Sequence, residues 1–149
     1  STVSKQQGAN VLLYNTWEYS GVPNWIKKME SGQEKEKFLA FLPQMADKTN
    51  ELYNSVAKEV KGNVVPVAQS WKLLNSRFPE IDLYSPDKVH PSGFGTYFTA
   101  LVFYKHIFGE LPKHLPTEIN IVNEFSRSRK IVNISVPKNI SKKMLKTLS

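Results

Sequence analysis

Two short apolar runs with an amphipathic helix between them constrain this chain more than any other feature. Residues 11–17 read Val-Leu-Leu-Tyr-Asn-Thr-Trp, and residues 63–68 read Asn-Val-Val-Pro-Val-Ala. A nearly continuous apolar run bounded by turn residues suits a strand covered on both faces, as in a parallel sheet. The second run is β-branched, but Pro66 cannot donate to a ladder, so it is expected at a sheet edge or to fray there. Between the runs, Pro43 suits the first turn of a helix. From there Met45, Leu52, Tyr53, Val56, Ala57 and Val60 fall on one face at helical spacing, a stripe expected to be core. Lys61 and Gly62 end it, a basic last turn followed by a C′ glycine.

The remaining segments are shorter. Residues 18–25 are turn-rich and aromatic. If the sheet is parallel, they leave the carboxyl end of a strand, where α/β proteins put ligands. Trp17, Tyr19 and Trp25 are therefore candidates to line an acyl or sugar pocket; the alternative for each is a cap on the core. Residues 26–41 read as a short helix, a turn at Ser31-Gly32 and a second helical start. Residues 69–78 read as a helix ended by Pro79. Ser92 is an N-cap candidate for a helix that runs to Phe108 and stops at Gly109 and Pro112. That helix is apolar on most sides and is expected to be largely buried. His106 and His114 lack partners at metal-ligand spacing, so neither a metal nor a cofactor is expected. Farther on, residues 118–125 suggest a short amphipathic element, 130–136 a strand and 140–148 a basic helix.

The chemistry concentrates in residues 83–97, Leu-Tyr-Ser-Pro-Asp-Lys-Val-His-Pro-Ser-Gly-Phe-Gly-Thr-Tyr. Pro86 and Pro91 keep Ser85 and His90 out of the α region, which gives a stiff loop leading into a helix start. Asp87 and His90 lie three positions apart on that loop. A carboxylate there can fix the imidazole tautomer and stabilise its protonated form during proton transfer. Asp87-x-x-His90-Pro91-Ser92 with Gly95-Thr96-Tyr97 resembles the last sequence block of the SGNH (GDSL-type) serine hydrolases. In that family such a pair supplies the acid and base of a Ser-His-Asp triad. The Thr-Trp at residues 16–17 and the segment from Asn63 to Trp71 are similar to the same family, and the likeness spans roughly residues 8–110.

The resemblance implies an α/β, flavodoxin-like three-layer sandwich, of which this chain would hold the C-terminal half. Residues 1–112 would form that portion and residues 113–149 a basic C-terminal extension. It implies an esterase acting on an acetylated sugar or a lipid, with His90 as base and then acid and Asp87 orienting it. The family's Gly-Asp-Ser nucleophile block and its oxyanion blocks have no counterpart here. Ser4 lacks a strand ahead of it, Ser20 follows a strand-end Trp, and Ser70 opens a helix. Only two strands are convincing, against about five in a doubly wound sheet. The nucleophile is thus expected from a missing N-terminal segment, unless the chain is an inactive relative or the likeness is accidental. A sheet cut short would expose an edge strand and apolar surface, so a homodimer through that edge is expected.

Charge supplies the competing reading. Residues 113–149 hold 8 Lys/Arg against 2 Asp/Glu, whereas residues 1–112 hold 12 against 11. A basic module that binds a partner or an anionic polymer is the alternative function, although such a surplus is more often a solvated terminal segment, the reading preferred for the charge, and no nucleic-acid motif accompanies it. A hydrolase-like carbohydrate binder using Trp17, Tyr19 and Trp25 is a third. No apolar run approaches a membrane span, and the start has no signal-peptide core. The absence of cysteine excludes disulfides and a thiol nucleophile but leaves the compartment open. A secreted or periplasmic location would fit a missing N-terminal segment.

Overall fold

The computed structural model describes residues 10–123 and 130–149, with side chains outside 121–131. Strand β1 (Leu12–Tyr14) is followed by helices α1 (Asn24–Lys27) and α2 (Gln33–Phe41), then a 3-10 turn (Leu42–Gln44) that contains Pro43. Helix α3 (Met45–Val60) crosses over to β2 (Asn63–Val65), which pairs with β1 in parallel, Leu12 opposite Asn63 and Tyr14 opposite Val65. Next come α4 (Val67–Arg77) and α5 (Gly93–Phe108), an antiparallel pair β3 (Glu118–Asn123) and β4 (Lys130–Ser135), and α6 (Lys138–Leu148). The architecture is mixed α/β, with two two-stranded sheets among the described residues. None of the described helices is long and apolar enough to cross a membrane.

The strand-helix-strand unit forms where the sequence places it, with three corrections. The second strand ends at Val65, not Ala68: Pro66 becomes the residue before α4, and Val67 and Ala68 are buried in that helix. Strand β1 is not covered on both faces, since Leu12 and Tyr14 stay exposed. The stripe of α3 is core only at Ala57, joined by Ala46, while Leu52 and Val56 face outward. Periodicity finds the face of a helix; it does not tell how much of that face has a partner.

The end of α3 shows a further difference. Lys61 itself adopts the left-handed conformation (φ 50°), and the amide of Gly62 donates to the Ala57 carbonyl at 2.8 Å. Lys61 is therefore the C′ residue and Gly62 the one after it. Glycine is needed at 62 for a different reason: a Cβ there would lie 2.7 Å from the Val11 carbonyl oxygen, against the start of β1. Lys61→Gly is expected to raise stability by roughly 0.5–1 kcal/mol, read by urea unfolding, because it removes the left-handed strain of a side-chain-bearing residue.

Helix α5 begins at Ser92, whose Oγ accepts from the Gly95 amide at 3.1 Å, and ends at Gly109 (φ 75°). Its burial is narrower than its composition implies. Tyr97, Phe98, Leu101 and Val102 enter the core, but Ile107 and Phe108 are exposed. The segment expected as an amphipathic element is β3, with Phe125 outside the described residues; the strand expected over 130–136 is β4. The C-terminal residues are not a solvated tail. Ile134, Val136, Met144 and Leu148 share one apolar core with Val65, Trp71, Leu83 and Phe98.

Candidate catalytic loop

The loop between α4 and α5 is a closed hairpin-like turn. The Ser92 amide donates to the Leu83 carbonyl at 2.8 Å and the Ser85 amide to the His90 carbonyl at 2.8 Å. Tyr84 and Pro91 form an isolated antiparallel bridge between these contacts. Ser85 Oγ donates to the Pro91 carbonyl and Ser92 Oγ to the Asp82 carbonyl, each at 2.8 Å. At the tip Lys88 takes a left-handed conformation (φ 63°), and its amide reaches the Ser85 carbonyl at 2.9 Å. The two prolines and these bonds leave the tip few alternatives.

Within that turn Asp87 and His90 meet. Asp87 Oδ2 lies 2.5 Å from His90 Nδ1, and Asp87 Oδ1 accepts from the amides of Val89 and His90, each at 3.0 Å. The carboxylate is thus fixed by its own loop before it engages the ring. The bond to the His90 ring, followed by those from the amides of His90 and Val89, holds the Asp87 carboxyl down at about 2. With Nδ1–H donated to Asp87, the lone pair of Nε2 is left for an incoming proton, and the His90 side chain is 74% exposed. A carboxyl titration by NMR should find the Asp87 midpoint near 2 in the parent chain. In His90→Ala it should rise toward the ordinary value of about 3.9. Since the folded value is the lower one, ionised Asp87 favours the folded loop above about pH 4, and that contribution disappears as pH falls toward 2. A midpoint near 4 in the parent chain would contradict the contact.

The loop is strapped to the segment that leaves β1. Trp17 Nε1–H donates to the Val89 carbonyl at 2.9 Å, the Ser20 amide to the Lys88 carbonyl at 3.1 Å, and the Tyr84 hydroxyl to the Glu18 carbonyl at 2.9 Å. Burial pushes the Tyr84 phenol up to about 12, so it serves as a neutral donor. Below, Trp71 stacks on Trp17 at 4.2 Å and meets Tyr84 edge-on at 5.1 Å. Gly95 completes the fit: a Cβ there would sit 2.2 Å from the Leu83 carbonyl oxygen and 2.6 Å from the Trp71 ring.

The three aromatic candidates do not converge on one pocket. Trp17 packs on Trp71 and holds the loop backbone. Tyr19 lines an open cleft of about 520 Å³ with Val22, Leu39, Leu42 and Lys72. Trp25 lies half-exposed on α1, edge-on to Phe38 of α2 at 5.1 Å. Of the serines considered, Ser4 lies outside the described residues, and Ser70 Oγ donates to the Pro66 carbonyl. Among the described residues no hydroxyl hydrogen-bonds the His90 ring, and no group of three or more His, Cys, Asp or Glu side chains converges as for a metal.

One buried polar residue near the loop's support escaped the sequence reading. Asn15, at the carboxyl end of β1, is fully buried. Its Oδ1 accepts from the Ala68 amide at 3.2 Å, and its Nδ2 donates to Gln69 Oε1 at 3.0 Å and Asn50 Oδ1 at 3.3 Å. It ties β1 to the first turn of α4 and to α3, directly behind the Trp17 segment. The available signal was an amide closing an apolar run. No protein-family description, curated protein or solved structure matches the chain.

Proposed function

We propose that this chain carries the His-Asp part of an SGNH-type serine hydrolase that deacylates an ester, either an acetylated sugar or a lipid. The flavodoxin-like sandwich is part of the same reading. The observation that carries it is the 2.5 Å contact of Asp87 with His90 on a loop whose own amides already hold the carboxylate. His90 Nε2 takes the proton of a serine hydroxyl as that oxygen attacks the acyl carbon. It then returns the proton to the leaving alkoxide as the ester C–O bond breaks; water, deprotonated by His90 in turn, releases the acid from the acyl-serine, and Asp87 stabilises the imidazolium in each half. The cleft at Tyr19, next to the strap at Ser20, offers apolar walls to the acyl or alcohol part of the ester. No cofactor takes part. The nucleophile is a serine that the described residues do not set beside His90, and the oxyanion donors come with it. A fluorophosphonate probe on the natural protein should add its mass to a single serine, and His90→Ala should abolish the adduct. Absence of any adduct would refute the proposal.

A further inference from the structure

We infer that the segment after β1 sets the Asp87–His90 pair, with Trp17 and Ser20 as positioning residues that each act through one peptide unit of the loop. The geometry of the pair is tested apart from the hydrolase reading; the effect on turnover rests on that reading. Asp87 Oδ1 accepts from two successive amides, those of Val89 and His90, each at 3.0 Å. The carbonyls of those same two peptide units belong to Lys88 and Val89. The Lys88 carbonyl accepts from the Ser20 amide at 3.1 Å, and the Val89 carbonyl from Trp17 Nε1–H at 2.9 Å. In a planar trans unit the C=O and N–H point opposite ways, so holding the oxygen aims the N–H. Both units are thus held from behind by Trp17 and Ser20 and face Asp87 in front.

An aspartate that accepts from the amides just ahead of it can do so by local turn chemistry alone. Two observations point to outside support here. Lys88, whose carbonyl opens the first unit, stands at φ 63°, a conformation that a residue with a side chain keeps only where its surroundings hold it. Trp17, for its part, is fixed by the core and not by the loop. Its ring stacks on the buried Trp71 at 4.2 Å with 11° between the planes, which sets the direction of its indole N–H. Between the two grips the Tyr84 hydroxyl donates to the Glu18 carbonyl at 2.9 Å, so the gripping segment is itself tied down.

The grips also strengthen what they aim. A donor on a carbonyl polarises the peptide unit and makes the N–H at its other end a better donor. From the Trp17 indole the path runs through the Val89 carbonyl and the His90 amide to Asp87 Oδ1, and from Oδ2 to His90 Nδ1 at 2.5 Å. Without the indole N–H the unit joining Val89 to His90 is free to turn, and the His90 amide no longer points at the carboxylate. Asp87 then leaves the one position from which it reaches Nδ1, and the ring is no longer kept with its proton on that nitrogen.

Trp17→Phe keeps an aromatic ring against Trp71 and removes the N–H. Nitrogen NMR of the His90 ring at about pH 9, above the ordinary imidazole range, should find a single tautomer in the parent, with the proton on Nδ1. The variant should show a mixture at unchanged far-ultraviolet circular dichroism. Its kcat for p-nitrophenyl acetate should fall roughly 10- to 100-fold with KM little changed, the mark of a misplaced base. A mixture already in the parent, or a single tautomer kept in the variant, overturns the inference, as does a measurable parent kcat that Trp17→Phe leaves unchanged. Should the variant not fold, hydrogen exchange in the parent decides: the Trp17 indole N–H and the Val89 and His90 amides should exchange more slowly than open groups, and exchange at the open rate overturns the inference. The tautomer decides even where the parent shows no turnover, a result that counts against the hydrolase reading alone.

Discussion

Replacing Trp71 with alanine is expected to destabilise the fold by roughly 3–5 kcal/mol, the range for truncating a fully buried aromatic. Trp71 is 1% exposed, stacks on Trp17, meets Tyr84 edge-on and donates its indole N–H to Thr99 Oγ1 at 3.0 Å. It thereby joins three pieces: the segment after β1, the head of the loop that carries Asp87 and His90, and α5. Removing it leaves a cavity where these three pieces meet, and the hydrogen bonds that still hold the loop in place limit how far the surroundings can collapse into it. For a domain with a typical total of 5–15 kcal/mol, such a loss is a large fraction. The midpoint of thermal unfolding should fall by about 6–20 °C, at roughly 2–4 °C per kcal/mol. Trp71→Phe, which keeps the apolar contact but not the N–H, should lose clearly less. A loss below about 1 kcal/mol for Trp71→Ala would contradict the packing described.

His90→Ala is expected to do the opposite: little to stability, much to turnover. The side chain is 74% exposed, so its removal should change the unfolding free energy by no more than about 0.5 kcal/mol. A general base nevertheless contributes typically 10²–10⁴-fold to rate, and as part of a triad its loss should reach the upper end of that range. Asp87→Asn is a finer test, with a similarly large loss. The amide can still meet the ring, but it no longer accepts two amide bonds as an anion, nor does it require the proton on Nδ1. A variant pair with opposite effects, Trp71 on stability and His90 on turnover, separates the support of the loop from its chemistry.

What the sequence made legible follows from how local each signal is. The Ser92 cap, the Gly109 stop and the Asp87–His90 spacing are decided within a few residues, and their geometry is as those residues dictate. The strand-helix-strand unit was also readable, because a short, nearly continuous apolar run between turn residues and a stripe of period 3.6 survive without knowledge of neighbours. Burial was not. Leu52, Val56, Leu12 and Ile107 carry the pattern of core residues but lack an opposing surface in the described structure. The reverse happened at the C-terminus, where a surplus of lysine obscured Met144 and Leu148, which pack inward between the charges. Trp17 was readable as an aromatic at a strand end. That it would hold the Val89 carbonyl, 72 positions away, is a long-range fact that no local signal encodes.

His90, oriented by Asp87, is proposed here as the base of an ester hydrolase. The most direct measurement is kcat/KM of the natural protein for p-nitrophenyl acetate beside that of His90→Ala, both checked for the same unfolding midpoint. Turnover is expected in the parent protein, with a loss of about 10³-fold or more in the variant. Equal turnover in the two proteins, or none in the parent, would contradict it.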